Sequence, residues 1–195
     1  MHIPSDYIIK DNTVITAFMQ QHPFAQVVCA GDTFPIINHM PLLYDAVQHC
    51  LWGHLAKNNP DLKHLTNSHV TVVFSGSHGY ISPDWYEKPG VPTWNYQTVH
   101  AQGICQTDTS EKIAQEIVDE LSDLHQKSLG LSWANDYNPA MLSAIVAIKI
   151  DIHDVRCQFK LSQDRSPQDR QNIIDALSKL GKQDLMRAMQ SFLNS

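Results

Sequence analysis

The segment that most constrains the fold is residues 70–74 (VTVVF), a short run of β-branched and aromatic side chains. Such a run is too short for a buried helix and has the composition of a fully buried strand. Three further strand-like segments precede it, at residues 24–30, 35–44 and 50–54. Consecutive strands with short connections predict a β-meander, which favours an antiparallel sheet.

Amphipathic segments alternate with the strands and predict peripheral helices. Helices are expected over residues 13–21, 56–68, 113–126 and 139–144, with two more after Ser166, and further strands over residues 98–107, 145–150 and 155–161. This order indicates an α+β chain dominated by β structure, with a small antiparallel barrel and helices on its rim. We expect one domain, in which residues 1–165 form the barrel and residues 166–195 pack on it as C-terminal helices.

The charge balance disfavours direct binding to nucleic acid. The chain has 195 residues, of which 43% are hydrophobic and 17% charged, as in a soluble globular protein. Its formal net charge is −6, and a surface of that sign does not attract a phosphate backbone. Basic residues of the last two predicted helices are interleaved with aspartates, which favours a pair of covering helices over a DNA-reading helix.

The N-terminus and the cysteines bear on the compartment. No basic segment followed by an apolar run opens the chain, and no apolar stretch reaches the length of a membrane span. The cysteines Cys29, Cys50, Cys105 and Cys157 are scattered without a CxxC pair. This spacing predicts buried free thiols in a reducing compartment. We therefore expect a cytoplasmic protein without membrane contact.

Residues 74–103 combine aromatic side chains with turn-forming residues in a pattern that is neither strand-like nor helix-like. The stretch contains Trp85, Trp94, Tyr80, Tyr86 and Tyr96, interleaved with two histidines and three prolines. Aromatic groups beside hydrogen-bonding groups are typical of the wall of a pocket for a flat ligand with polar edges. The alternative is a long loop whose aromatic side chains cap the core.

The segment GHLAKNNP, residues 53–60, is a candidate anion site. A strand ends here, Lys57 and Asn58 follow, and a helix is predicted to open at Pro60. Free backbone N–H groups at a helix N-terminus favour an anion, and Lys57 would add a full positive charge. The alternative is ordinary helix capping beside a solvated lysine.

A second candidate is KLSQDR, residues 160–165. Lys160, Gln163 and Arg165 follow a strand and precede a capped helix, where anions or ring oxygens could be held. The alternative is a loop with solvated side chains.

Patterns of other chemistry are missing from the sequence. The eleven histidines include no HxH or HExxH pair, so no metal site is expected. Ser82 lies near His78, but there is no GxSxG elbow and no acid placed to orient the histidine. Walker and GxGxxG loops are also missing. No residue is predicted to be catalytic.

Several long motifs occur in an order that resembles a known family: MHIPSDYII, HPFAQVV, NHMPLL, GHLAKNNP, VVFSGSHGYISPDWY, VPTWNYQTVHAQG, AIVAIKIDI and KLSQDR. They closely resemble the PaiB family of FMN-binding negative transcriptional regulators, from Met1 to about Leu180. The resemblance implies the FMN-binding split-barrel fold shared with pyridoxamine phosphate oxidase. It also implies a homodimer with flavin sites between the subunits, and a role in repressing sporulation and degradative-enzyme genes.

Carried over by position in the motifs, the resemblance implies four groups of FMN-binding residues. His39, Lys57 and Asn58 would lie at the flavin phosphate; His78, Ser82 and Trp85 would line the cleft; Trp94 and Asn95 would lie near the dimer interface; Lys160, Gln163 and Arg165 would close it. Two residues depart from the family pattern, since the family usually has Trp at Phe159 and Asn at Asp164. A carboxylate at Asp164 would repel a phosphate or flavin oxygen. Either the Asp164 side chain points away from the flavin, or flavin binding is weakened in this chain.

Two functions remain open at this point. The first is a dimeric FMN-binding regulator that senses flavin redox state or a metabolite. The second is a flavin-dependent oxidoreductase of a small molecule, although no residue stands out as an acid or base. A repressor that contacts DNA directly is disfavoured by the acidic balance.

Overall fold

A computed structural model describes residues 1–135 and 137–193 of the chain. Within them the strands are β1 (Ile8–Ile9), β2 (Phe24–Cys29), β3 (Ile36–Pro41), β4 (Leu43–Asp45), β5 (Cys50–Ala56), β6 (Ser68–Ile81), β7 (Thr93–Asp108) and β8 (Ile145–Lys160). The helices are α1 (Asn12–Gln21), α2 (Leu62–Leu65), α3 (Glu111–Ser128), α4 (Pro167–Lys179) and α5 (Gln183–Leu193). Short 3₁₀ helices cover Ser5–Tyr7, Pro83–Trp85 and Pro139–Ala144.

The strands form one sheet in the order β3-β2-β6-β7-β8-β5-β4, with β1 beside β8. The pairs β1–β8, β2–β3, β2–β6, β4–β5 and β5–β8 are all antiparallel. The order ends at β3 on one side and at β4 on the other. The predicted antiparallel sheet is therefore confirmed.

The chain forms two compact units. Unit 1 consists of Met1–Ile15, Ser75–Val99 and Arg156–Ser195, and unit 2 of Thr16–Phe74 and His100–Val155. The long strands β6, β7 and β8 contribute residues to both units.

In unit 2, α3 lies against the sheet through its apolar stripe. Ile117 and Leu121 pack with Ala147 of β8, and the half-buried Leu43 and Trp52 complete this cluster. The three-to-four-residue spacing of the buried positions on α3 follows from helical periodicity. The predicted helix over residues 113–126 is confirmed and extends slightly at both ends.

In unit 1, α4 and α5 are joined by a tight turn. Ser166 caps α4 by accepting a hydrogen bond from the Asp169 N–H (3.0 Å). Gly181 ends α4 with a φ of +70°, a conformation that glycine adopts without steric cost. A Cβ atom on Gly79 of β6 would lie 2.9 Å from Leu185, so α5 packs closely on this face of the strand.

The prediction of an irregular stretch is wrong for residues 75–81 and 93–97, which are strand, whereas the strand predicted over residues 98–107 is confirmed as part of β7. β6 continues to Ile81 and β7 begins at Thr93. The residues between them form no strand, and Pro83–Trp85 is a short 3₁₀ helix. Period-2 alternation is obscured because the exposed positions of these strands carry histidine, tyrosine and tryptophan instead of ordinary polar residues.

The helix predicted over residues 56–68 is also wrong in extent, since α2 has only four residues. Asn59 donates to the Asn38 side chain (3.0 Å), Asn38 donates to the Asp61 carboxylate (3.0 Å), and the Asp61 N–H donates to the Asn59 side chain (2.9 Å). These side chains hold the chain in a turn that competes with the helix. Pro60 precedes the helix, and the helix-terminus argument for an anion at Lys57 therefore fails.

Two smaller differences concern strand boundaries. The strand predicted over residues 35–44 is broken at Leu42, whose N–H bonds to the Pro23 carbonyl (2.9 Å), and the two strands predicted between residues 145 and 161 form the single strand β8.

The four cysteines are buried with free thiols, as predicted. None of the helices in residues 1–135 and 137–193 has the length and apolar character needed to cross a bilayer. The same residues contain no cluster of metal-ligating side chains.

Gly103 provides a test of the close approach between β7 and β8. A Cβ atom there would lie 2.1 Å from the Asp151 carbonyl oxygen, which is backbone and cannot move aside easily. We expect Gly103→Ala to lower the free energy of unfolding by about 3 kcal/mol, because overpacking forces a backbone shift. Gln106→Ala, at an exposed position of the same strand, is the control for denaturant unfolding. Equal stability of the two variants would contradict this packing.

Half-buried histidines of unit 2 predict a dependence of stability on pH. Burial lowers the pKa of His22, His54 and His100 below the ordinary value of 6.5. The unfolded chain then binds more protons than the folded chain, so stability is present above pH 6.5 and is lost as the pH falls below it. We expect His54→Gln, which removes one titrating group, to reduce the slope of unfolding free energy against pH between 7 and 5.5. An unchanged slope would contradict a neutral buried imidazole at this position.

Candidate functional site

Unit 1 carries an exposed aromatic face on β6 and β7, which we define by His78, Tyr80 and Trp94. The rings of His78 and Trp94 stack with centroids 6.3 Å apart, and Tyr80 meets Trp94 edge-on at 6.4 Å. Trp94 is 54% exposed and Tyr80 49%, so these rings stabilise one another while leaving much of their area open to solvent. Strand alternation places His78 and Tyr80 on the same side of β6.

Asn95 follows Trp94 on β7, so its side chain points to the opposite face of the strand, where it is fully buried. Its side-chain amide donates to the Ser162 hydroxyl (2.9 Å), which donates back to the Asn95 oxygen (3.1 Å). Ser162 itself has a φ of +63°, and this reciprocal pair helps to hold that unfavourable conformation. Asn95 therefore contributes to the site by fixing the backbone that follows β8.

A second feature of unit 1 is a cationic corner, which we define by Lys160 and Arg165 together with the rings of Tyr7 and Tyr86. The Lys160 ammonium donates to the Thr93 hydroxyl and lies 5.9 Å from the centre of the Tyr7 ring. The Arg165 guanidinium lies 4.3 Å from the centre of the Tyr86 ring. Contacts of this kind contribute about 0.5–2 kcal/mol each and hold a cation without neutralising it.

The turn after β8 orients Arg165. The Gln163 side chain accepts a hydrogen bond from the Leu161 N–H (2.7 Å) and donates to the Phe159 carbonyl (2.6 Å). The Arg165 N–H then donates to the Ser162 carbonyl (3.0 Å). Gln163 thus stabilises the turn through the backbone, and its amide is engaged within the chain.

The connection between β6 and β7 carries Tyr86 and is anchored to α4. The Glu87 N–H donates to the Asp169 carboxylate (2.8 Å), and a Cβ atom on Gly90 would lie 2.6 Å from the Tyr86 ring. Ser82 begins the short 3₁₀ helix by accepting a hydrogen bond from the Asp84 N–H (3.2 Å). Tyr86 is therefore in close contact with both Gly90 and the Arg165 guanidinium.

The electrostatics of the corner leave its cations available. Among the residues that the structure describes, neither Lys160 nor Arg165 forms an ion pair with a carboxylate. Burial raises the pKa of Tyr86, although Arg165 opposes the shift, so its hydroxyl stays protonated at neutral pH. That hydroxyl is buried and has no hydrogen-bond partner within the described residues. Unpaired cations beside an orphaned hydroxyl fit an anionic, oxygen-rich group.

The remaining predicted residues lie in unit 2 and are more exposed. His39 is on β3, where its ring stacks on Phe24 with centroids 6.0 Å apart. Lys57 and Asn58 follow β5 with exposed side chains, and the Lys57 N–H donates to the Ala144 carbonyl (2.8 Å). Binding of a cofactor by these three residues stays a prediction.

Of the eleven residues predicted to bind a cofactor, eight belong to unit 1: His78, Ser82, Trp85, Trp94, Asn95, Lys160, Gln163 and Arg165. The structure brings Lys160 and Arg165 into the corner and His78 and Trp94 into the aromatic face, while Asn95 and Gln163 support the backbone. Sequence reasoning missed Tyr7 and Thr93. Tyr7 lies in the motif MHIPSDYII, but its partners are more than 150 residues away along the chain, and no local pattern reports such a contact.

Comparison with known proteins identifies the family. Residues 1–154 match the family described as "Putative FMN-binding domain". The chain is 32% identical to the protease synthase and sporulation protein PAI 2 of Bacillus subtilis over 184 residues, which is 91% of this chain and 89% of that protein. An uncharacterized protein of Emericella nidulans, AN0679, is 28% identical and covers 87% of each chain.

Solved structures with similar folds include flavin proteins. The FAD and heme binding protein of Mycobacterium smegmatis superposes with a TM-score of 0.65 at 14% identity, over 84% of this chain and 78% of that one. The flavocytochrome Anf3 of Azotobacter vinelandii gives a TM-score of 0.63 at 15% identity, over 82% and 72%. Both confirm the predicted fold, an antiparallel split β-barrel with peripheral helices. By its sequence, this chain belongs to the FMN-binding domain family that includes PAI 2, and its cofactor is FMN.

Proposed function

We propose that this chain is an FMN-dependent regulatory protein that holds an anionic part of the flavin at the cationic corner of unit 1. The observation that carries the proposal is the pair of cations, Lys160 and Arg165, held on tyrosine rings without a carboxylate partner among the described residues. A cation already ordered by an aromatic ring loses less side-chain entropy when an anion binds. The buried Tyr86 hydroxyl can donate a further hydrogen bond.

The aromatic face supplies the second element of the proposed site. His78 and Trp94 offer ring surface on which a flat heterocycle can stack, and Tyr80 supports Trp94 from its edge. Bound FMN supplies redox chemistry, since the flavin accepts and returns electrons. The residues of the chain would bind and orient it.

The proposed regulatory role rests on the relative in Bacillus subtilis, whose name links that protein to protease synthesis and sporulation. The formal net charge of −6 favours an effect exerted through flavin or protein contacts over direct binding to DNA. FMN occupancy or redox state would then be the signal that the protein senses.

We further propose that the aromatic face is covered in a homodimer. Trp94 is 54% exposed and Val91, in the connection before β7, is 68% exposed. Exposed tryptophan and neighbouring apolar side chains are enriched at interfaces between subunits. A flavin stacked on part of this face would then lie next to the partner subunit.

Titration with FMN, followed by quenching of flavin fluorescence, tests the corner. We expect Lys160→Gln and Arg165→Gln each to weaken binding by about tenfold, since each removes one charge-assisted contact. Lys182→Gln, an equal loss of charge at an exposed position of unit 1, is the matched control. FMN affinity unchanged in both corner variants would reject the corner as the site. Sustained oxidation of NADPH by the FMN-loaded protein would favour the flavin-dependent oxidoreductase instead.

Light scattering on a size-exclusion column tests the dimer. We expect Trp94→Glu to shift the protein from dimer to monomer at micromolar concentration, because an acid on the aromatic face must be desolvated in the interface. Leu180→Glu places the same charge at a position that is 62% exposed at the end of α4, and should leave the dimer intact. A monomeric unmodified protein, or dissociation of both variants, would contradict this assignment.

A further inference from the structure

Both cations of the corner are held by one segment, residues 86–93, which completes the connection between β6 and β7. Tyr86 begins the segment, and its ring lies 4.3 Å from the Arg165 guanidinium. Thr93 ends it, and the Thr93 hydroxyl accepts a hydrogen bond from the Lys160 ammonium. The positions of the two cations therefore depend on where this one segment lies.

The segment is fixed to α4 by a hydrogen bond. Residues 87–92 belong to no helix or strand and are all exposed, so they have little buried surface to hold them in place. The Glu87 N–H donates to the Asp169 carboxylate of α4 over 2.8 Å. A hydrogen bond to an ionised acceptor is about twice as strong as one between neutral groups. This contact is therefore an anchor for the segment.

Asp169 is itself held in place by the helix. It lies in the first turn of α4, where its N–H donates to the capping Ser166 hydroxyl (3.0 Å) and the helix dipole favours a negative charge. Within the part of the chain that the structure describes, its carboxylate forms no ion pair. Asp169 is thus a fixed acceptor at the end of a regular element.

Gly90 connects the anchor to the guanidinium. A Cβ atom on Gly90 would lie 2.6 Å from the Tyr86 ring and 3.7 Å from an Arg165 nitrogen. The backbone of the segment therefore packs directly on the ring over which the guanidinium lies. A shift of the segment would move the ring and the cation together.

We propose that Asp169 is a positioning residue that anchors residues 86–93 to α4 and thereby sets the positions of both cations of the corner for an anionic ligand. The inference rests on the proposed function, in which that ligand is FMN. Asp169 acts through the Glu87 backbone and makes no contact with the flavin. Its negative charge opposes the binding of an anion, so a loss of affinity when the carboxylate is removed indicates the lost anchor.

FMN titration of two Asp169 variants tests the acceptor. We expect Asp169→Ala to raise the dissociation constant for FMN by about fivefold to tenfold, because the segment loses a charge-assisted hydrogen bond. Asp169→Asn removes the same charge but keeps an oxygen that accepts the Glu87 N–H, so it should recover most of the affinity. Asp175→Ala removes an exposed carboxylate from the same helix and is the control. Equal affinity of the two Asp169 variants would overturn the inference.

A second pair of variants tests the donor without altering Asp169. Glu87→Pro removes the backbone N–H, and the preceding Tyr86 has φ −87° and ψ 149°, an extended conformation that a following proline permits. Glu87→Ala loses the same side-chain charge and keeps the N–H. We expect only Glu87→Pro to weaken FMN binding, again by about fivefold to tenfold. The same affinity in both variants would contradict the anchor.

The outcomes separate this inference from the proposed function. Absence of FMN binding by the unmodified protein would reject the proposed function itself. FMN affinity that depends on Lys160 and Arg165 but is unchanged in Asp169→Ala would overturn the role of Asp169 alone. Thermal unfolding shows whether each variant is folded, and if Asp169→Ala is not, the two Glu87 variants decide. Alanine has a higher helix propensity than asparagine, so weaker binding by Asp169→Ala than by Asp169→Asn cannot be assigned to a loss of α4.

Discussion

Backbone pairing along β8 is the constraint on which the arrangement of the chain depends. β8 pairs with β5 through residues 145–151 and with β1 through Cys157 and Gln158. Its inward side chains are buried almost without interruption, so a shift of one residue would expose them all. Because the register is set in this way, Lys160 and the turn that follows it occupy defined positions.

The capacity of unit 1 to bind an anion depends on which of its charged side chains are paired with an opposite charge. Lys160 and Arg165 lie over tyrosine rings, and neither forms an ion pair with a carboxylate among the described residues. A carboxylate partner would have lowered the energy of each cation but would also have neutralised it. Aromatic contacts order the side chains and preserve their charge, which is the requirement of a site for an anionic cofactor such as FMN.

The sequence predicted more of the fold than of the site. The antiparallel strands, the helix that became α3 and the Ser166 cap depend on local patterns and were predicted correctly. The failures had two causes, a contact with a distant residue and a strand pattern hidden by aromatic side chains. Asn38 on β3 bonds to Asn59 and Asp61 and replaces most of a predicted helix by a turn. The aromatic segment was predicted as irregular because strand alternation is hidden when the exposed positions are aromatic.

In the candidate site too, residues with a local sequence signal were predicted and roles that depend on long-range contacts were not. Lys160 and Arg165 were singled out by the sequence because charged residues between a strand and a capped helix are a local signal. The roles of Asn95 and Gln163 could not be predicted in that way. In the sequence, a polar residue that binds a ligand cannot be distinguished from one that stabilises a neighbouring stretch of backbone. Only the buried Asn95–Ser162 pair distinguishes the two.

The sequence by itself therefore determined the antiparallel class of the fold, the family and the residues that carry charge, because these depend on short-range pattern and on motif order. The tertiary structure decided which charges are neutralised and which remain free. The Tyr7 ring and the Lys160 ammonium are separated by most of the chain and lie 5.9 Å apart because β1 pairs with β8. Pairing between distant strands is a property of the folded chain, and no local pattern encodes the contact that results from it.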